Sequence, residues 1–200
     1  RVTEPNEGPA TNERATARRG RTGVLEIAET LFLTIAIFLI VQNFVAQPFK
    51  VEQRSMERTV EPGEYVLVDK LTPHFATYAR GDVVVFTPPA DPVETNGVRT
   101  PYIKRVVGLP GEEVEVRDGA ILIDGRKLAE PYVYEGQSTE QTGSETRWTV
   151  PEGELFLLGD HRQASSDSRE FGPVPIENLV GRVVLRYWPL SALGPLPDGR

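Results

Sequence analysis

One run of residues constrains this chain more than any other. From Ile27 to Ala46, 15 of 20 side chains are apolar, and Ile35 to Val41 is unbroken. As a helix the run extends about 30 Å at 1.5 Å per residue, the hydrocarbon thickness of a bilayer. Glu29 lies near one end and Gln42 and Asn43 near the other, within reach of interfacial water. A core helix would need protein on every side, and a cleaved leader would need small residues where Phe44 stands. The run therefore reads as a retained membrane anchor over 24–46. Residues 1–23 carry almost no large apolar side chains and read as a disordered tail. Arg14, Arg18, Arg19 and Arg21 precede the anchor; Lys50, Arg54 and Arg58 follow it. That bias puts the N-terminus in the cytoplasm and the remaining chain on the outer side of the plasma membrane.

After Pro48 the pattern becomes short, β-branched and punctuated by turns. Tyr65–Val68, Asp82–Phe86, Tyr102–Val107, Val114–Val116, Ile121–Ile123, Glu154–Leu158 and Gly181–Tyr187 read as strands. Pro62-Gly63, Arg80-Gly81, Pro110-Gly111, Asp118-Gly119 and Asp124-Gly125 supply turns between them. The expected fold is mostly β, a domain of barrel-like antiparallel sheets over 47–188 with a hairpin and loop insertion at about 110–150. Val133 to Trp148 reads as a mobile polar loop, Ile176 to Leu179 as one helical turn, and 189–200 as a flexible Pro/Gly tail.

Composition narrows the chemistry. With 22 basic against 29 acidic side chains, the formal charge of −7 opposes non-specific nucleic-acid binding. Absence of cysteine removes disulfides, thiolate metal sites and a thiol nucleophile, and two histidines do not make a metal site. No metal or cofactor is expected. Nucleophilic chemistry would fall to Ser or Thr.

Three segments could carry it. Ser55 follows a strand-like run just past the anchor and precedes the only methionine, Met56; it also reads as an ordinary loop serine. Lys104 and Arg105 fall on opposite faces of an apolar strand, so at least one points inward unless the strand is a solvated edge. A buried lysine loses its charge more readily and can serve as a base. Gly159 to Gly172 places Asp160, Arg162, Asp167, Arg169 and three serines in one loop, either a polar turn network or a site. A Ser-His-Asp arrangement through His161 has no other support.

Taken in order behind one anchor, these segments resemble bacterial type I signal peptidases, Ser/Lys endopeptidases that remove signal peptides from exported preproteins. Ser55-Met56 matches the nucleophile motif, Arg80-Gly-Asp-Val-Val-Val-Phe86 the next strand, Tyr102 to Glu112 the general-base segment, and Gly159 to Gly172 the last box. The resemblance implies a Ser55 nucleophile, a Lys104 base, and Ser165 orienting the lysine. It further implies bracing pairs Arg105–Asp160 and Asp167–Arg169, with the Ser55 N–H in the oxyanion hole. A substrate peptide would add as a strand between Phe49–Gln53 and Pro101–Ile103, touching Phe49, Val51, Met56, Tyr102 and Ile103. Implied partners are preprotein signal peptides cut after a small-x-small motif, membrane lipid and a neighbouring secretion translocon.

The motif departs from the family pattern at four places. Arg58 stands where Pro is usual, Arg54 where a small or acidic residue precedes the nucleophile, and His161 where Asn is usual. Gln53 occupies the place of a second oxyanion donor, a role its amide could take. Two rival readings follow: a self-cleaving repressor type of Ser/Lys protease, and a catalytically impaired, membrane-tethered peptide-binding module.

Overall fold

The computed structural model describes residues 13–75, 77–89, 100–197 and 199. The chain forms two compact units, one ending at Asn43 and one beginning at Phe44.

The first unit is a single helix, α1 (Glu13–Ile40), prolonged by a π-helical turn over Val41–Val45. It starts well before the expected boundary. Part of the tail read as disordered, residues 13–23, is helical because Ala, Arg and Glu there are strong helix formers that propagate the apolar helix backwards. Residues 1–12 of that tail lie outside the described residues. Leu25–Val45 is long and apolar enough to cross a membrane. Three of its polar side chains bond to its own backbone: Thr30 Oγ1 to the Glu26 carbonyl, Thr34 Oγ1 to Thr30, and Asn43 Nδ2 to Leu39. Such bonds to the fourth preceding carbonyl lower the cost of polar groups in hydrocarbon.

The second unit is mostly β. Its strands are β1 (Ala46–Lys50), β2 (Tyr65–Asp69), β3 (Val83–Phe86), β4 (Tyr102–Gly108), β5 (Glu113–Arg117), β6 (Ala120–Ile123), β7 (Arg126–Lys127), β8 (Arg147–Thr149), β9 (Glu154–Leu158), β10 (Val174–Pro175) and β11 (Leu179–Trp188). All pair antiparallel. A seven-stranded sheet runs β1-β2-β11-β3-β4-β9-β10, and a four-stranded sheet β7-β6-β5-β8 occupies residues 113–149. Shifts of register in β11 bend the larger sheet. β1 lies at its edge, which is why Pro48 is tolerated there. Two four-residue helices, α2 (Thr72–Phe75) and α3 (Ser168–Phe171), interrupt the strands.

β4 is flanked by β3 and β9, so both of its edges are paired and it is not an edge strand. Lys104 and Arg105, on its opposite faces, are both inside, at 1% and 0% exposure, and the solvated-edge reading of this strand fails. Val51, Met56, Val66, Val68, Val85 and Ile103 share one apolar cluster; Val107, Trp148, Phe156 and Leu158 belong to a second.

The C-terminal segment is docked, which corrects the expectation of a flexible tail. Arg186 and Gly194 exchange both backbone hydrogen bonds, at 2.9 and 3.0 Å, and Leu196 packs on the core. The loop expected to be mobile is also tied down. The Thr139 N–H donates to the Gly119 carbonyl at 2.9 Å, and Arg169 Nη1 to the Glu140 carbonyl at 3.0 Å.

Candidate active site

The chain leaves β1 extended, and Val51 exchanges backbone bonds with Glu64 and Gly63, at 2.9 and 2.7 Å. Between these anchor points lies a tight turn over 54–60. Thr59 and Val60 donate to the Met56 carbonyl at 3.0 and 2.8 Å, and Glu57 to Arg54 at 3.1 Å. Ser55 sits in this turn at 3% exposure. Its N–H donates to no other described residue. Its carbonyl accepts from the His161 N–H at 3.0 Å, which ties the turn to the loop after β9.

Lys104 approaches from β4, where it lies opposite Val84. Its Nζ donates to Ser55 Oγ at 2.8 Å and to the Ile103 carbonyl at 3.1 Å, and lies 5.0 Å from the Tyr102 ring centroid. Burial is the main cause that brings its pKa from 10.5 down to about 8. Asp167 and Asp160 act against that shift, and Arg169 acts with it. A serine hydroxyl and a lysine amine that loses its charge near neutrality are thus in hydrogen-bond contact inside the protein.

Two buried ion pairs stand beside them. Arg105 and Asp160, both fully buried, form a two-point pair: Nε to Oδ1 at 2.9 Å and Nη2 to Oδ2 at 2.7 Å. Thr59 Oγ1 donates to the same carboxylate at 2.5 Å, and Arg105 Nη1 donates to the Gly81 carbonyl at 2.8 Å. Asp167 accepts from Arg169 Nε at 2.8 Å, from the Gly159 N–H at 3.1 Å and from Ser165 Oγ at 2.7 Å. The Ser165 hydroxyl proton is therefore directed at Asp167, and among the described residues Ser165 makes no hydrogen bond to Lys104. It nevertheless lies beside the turn. A Cβ on Gly159 would come closer than 3.0 Å to Ser165 Oγ and to the Ser55 carbonyl oxygen, so only glycine lets these strands of chain meet.

A groove of about 180 Å³ runs between the two chain segments that lead to Ser55 and Lys104. Phe49, Val51 and Gln53 line one side, Pro101, Tyr102 and Ile103 the other. Met56, expected in the groove, is fully buried in the apolar cluster beside Val51 and Ile103 and does not line it. Its turn points it inward with Val60, four residues on.

Residues 24–188 match the family model described as signal peptidase, peptidase S26. The chain belongs to this family of signal peptidases. A signal peptidase I from Leptolyngbya laminosa is 35% identical over 94% of this chain and 91% of its own length. Signal peptidase I T of Bacillus subtilis is 30% identical over 92% and 95%. A crystal structure of a signal peptidase I from Enterococcus faecalis is 33% identical over 53% of this chain and 96% of its own, with a TM-score of 0.42. The protein is thus a hydrolase of the signal peptidase I type.

In this signal peptidase two of the departures from the family motif, Arg54 and His161, are joined in space through Glu57. Arg54 Nε donates to Glu57 Oε1 at 2.6 Å, and Glu57 Oε2 lies 2.6 Å from His161 Nδ1. The His161 ring stacks on Tyr134, centroids 4.3 Å apart and planes 17° from parallel. Hydrogen bonds from Arg54 and His161 hold the Glu57 carboxyl below its ordinary pKa, against desolvation. Arg58 adopts φ 79°, a left-handed conformation closed to proline, and its Nη1 donates to the Val133 carbonyl at 2.8 Å. Glu57 was not singled out in the sequence. It is 104 positions from His161, and no local spacing rule links the two.

Proposed function

We propose that Ser55 is the nucleophile and Lys104 the general base of signal-peptide hydrolysis. The observation that supports this most is the 2.8 Å contact between Lys104 Nζ and Ser55 Oγ in a fully buried setting. With Lys104 charged, Nζ donates to Oγ. Once the amine is neutral, the same line lets the Oγ–H donate to its lone pair. Oγ then attacks the scissile carbonyl carbon as its proton passes to Nζ. The free Ser55 N–H offers a donor to the resulting oxyanion, with the Gln53 amide as the second. The ammonium returns its proton to the leaving amine, and a water activated by Lys104 hydrolyses the acyl-enzyme. Ser-Lys is a convergent version of the serine triad logic.

The peptide binds as an added strand between Phe49–Gln53 and Pro101–Ile103. Small apolar walls from Val51, Val66, Val85 and Ile103 suit cleavage after a small-x-small motif. Leu25–Val45 tethers the enzyme in the plasma membrane with the N-terminus cytoplasmic and the peptidase domain outside, close to lipid and to the export translocon. The test is incubation of the full-length protein in detergent with a preprotein, followed by N-terminal sequencing. A new N-terminus after a small-x-small motif supports the reading. An intact fold without cleavage would leave a tethered peptide-binding module in its place.

A further inference from the structure

The turn that carries Ser55 is fastened to the loop after β9 at several points, and the two arms differ in kind. On one arm, Thr59 and Arg105 share the buried Asp160 carboxylate. On the other, Glu57 is held between Arg54 and His161. Asp160 and His161 are consecutive, so one short stretch grips both ends of the turn. His161 grips twice: its N–H holds the Ser55 carbonyl at 3.0 Å, and its ring holds Glu57 at 2.6 Å. The ring is fixed by stacking on Tyr134, whose own N–H donates to the Asp160 carbonyl at 2.9 Å. Glu57 is nearly buried, while the Arg54 side chain is 69% exposed, so the rigid part of this arm is the Glu57–His161 contact.

We infer that Glu57 and His161 form a positioning pair that sets the rotation of the Ser55 turn toward Lys104. This rests on Ser55 and Lys104 being the reacting pair. The physical argument is one of tolerance. The Nζ–Oγ contact lies at 2.8 Å, and a displacement of about 1 Å in a reacting group can cost about 100-fold in rate. The turn holds a non-glycine residue in a left-handed conformation at Arg58, so its own backbone preference does not select the observed shape. External contacts must do so. A histidine Nδ1–H on a carboxylate at 2.6 Å is a short, charge-assisted bond with a defined direction, and it acts two residues from the nucleophile. Neither residue reaches the groove, so neither is needed to bind the peptide.

The test measures kcat and KM on a preprotein for Glu57→Ala, His161→Ala, the double variant, Glu57→Gln and His161→Asn, with folding checked by circular dichroism. The inference expects each Ala variant to lower kcat about 10- to 100-fold with KM changed less than about threefold. The double variant should match the worse single one, because the pair acts as a unit. His161→Asn, whose amide can still donate to Glu57, should recover most of the loss. The pH midpoint of kcat/KM should stay where wild type has it, since Lys104 keeps its surroundings. Losses that multiply, a loss confined to KM, or a displaced pH midpoint would each overturn the inference. If Glu57→Ala does not fold, His161→Ala decides, since it removes the ring that holds Glu57, and full activity would refute the pair. Glu57→Gln, whose amide the imidazole can accept in its other tautomer, should keep most of the activity. Ser55→Ala and Lys104→Arg run alongside. If those retain activity, the reacting pair has been misassigned; if they are dead while Glu57→Ala is fully active, only the positioning pair fails.

Discussion

The sharpest consequence of the structure concerns the proton on Lys104. Burial lowers its pKa from 10.5 to about 8, and desolvation leads because the side chain is almost fully enclosed, at 1% exposure. At pH 7 roughly one amine in ten would then be neutral, against about one in three thousand at the ordinary value. That difference corresponds to about 3 kcal/mol between the two protonation states. The sign is fixed by the direction of the shift. The folded state disfavours the ammonium, so the reactive neutral amine appears as pH rises through about 8. Between that value and 10.5 the folded protein binds fewer protons than the unfolded chain, so stability rises with pH across the same window. The assay is kcat/KM on a preprotein from about pH 6 to 11, with chemical denaturation in parallel. Wild type should gain about tenfold per pH unit below the midpoint and level off above it. Lys104→Arg, which cannot deprotonate, should be inactive. Lys104→Met should be equally inactive yet more stable at pH 7 by about 1–3 kcal/mol, because an apolar chain suits the site better than a buried amine. A midpoint near 10.5, or an Arg variant with wild-type rate and profile, would refute the reasoning.

Four further outcomes follow from the same geometry. Arg105→Ala leaves Asp160 buried without its partner and should cost about 3–5 kcal/mol in urea denaturation; a loss under about 1 kcal/mol would show the pair to be hydrated. Arg169→Met removes a group that lowers the Lys104 pKa while leaving Asp167, which raises it, so the activity midpoint should move to higher pH. Gly159→Ala should remove activity even where the domain still folds, since its methyl group would displace Ser165 or the Ser55 carbonyl; an active variant would contradict the close approach. Gln53→Ala should lower kcat by roughly 10²–10³, the scale of one oxyanion donor, whereas a change below about threefold would reduce Gln53 to groove wall.

Much of this was legible before any coordinate. β-branched runs bounded by glycine turns mark the strands, because alternation and turn chemistry are local signals. What escaped is non-local. β1 begins at Ala46, inside the segment assigned to the anchor and ahead of the strand-like run that starts at Phe49, because its partner is Asp69 and nothing in Ala-Gln-Pro advertises a strand. The C-terminal segment looked free by composition and is held by a bridge between Arg186 and Gly194. Met56 looked like a groove residue through its proximity to Ser55, but the turn buries it in the apolar cluster with Val60. Arg54 and His161 were visible only as separate departures; the carboxylate that joins them becomes evident once the chain is folded.

One feature of the site runs against ordinary expectation: a lysine that must be neutral is surrounded by charges. Each nearby cation brings its own anion. Arg105 is matched by Asp160, Arg169 by Asp167, and Arg162 by Glu130 at 2.5 Å. At Lys104 Arg169 opposes the influence of Asp167, Asp160 acts with Asp167, and desolvation, the largest influence, decides the direction. A lone carboxylate in the same place would hold the proton on the amine and silence it. Buried ion pairs are weak sources of net stability, since desolvation offsets most of their attraction. Their presence here is better understood through what they permit. They fasten the loop 159–169 with directional bonds, yet do not outweigh desolvation at the amine. Rigid placement of Ser55 against Lys104 and a low lysine pKa would otherwise conflict, because the polar groups that best fix geometry are those that would recharge the base.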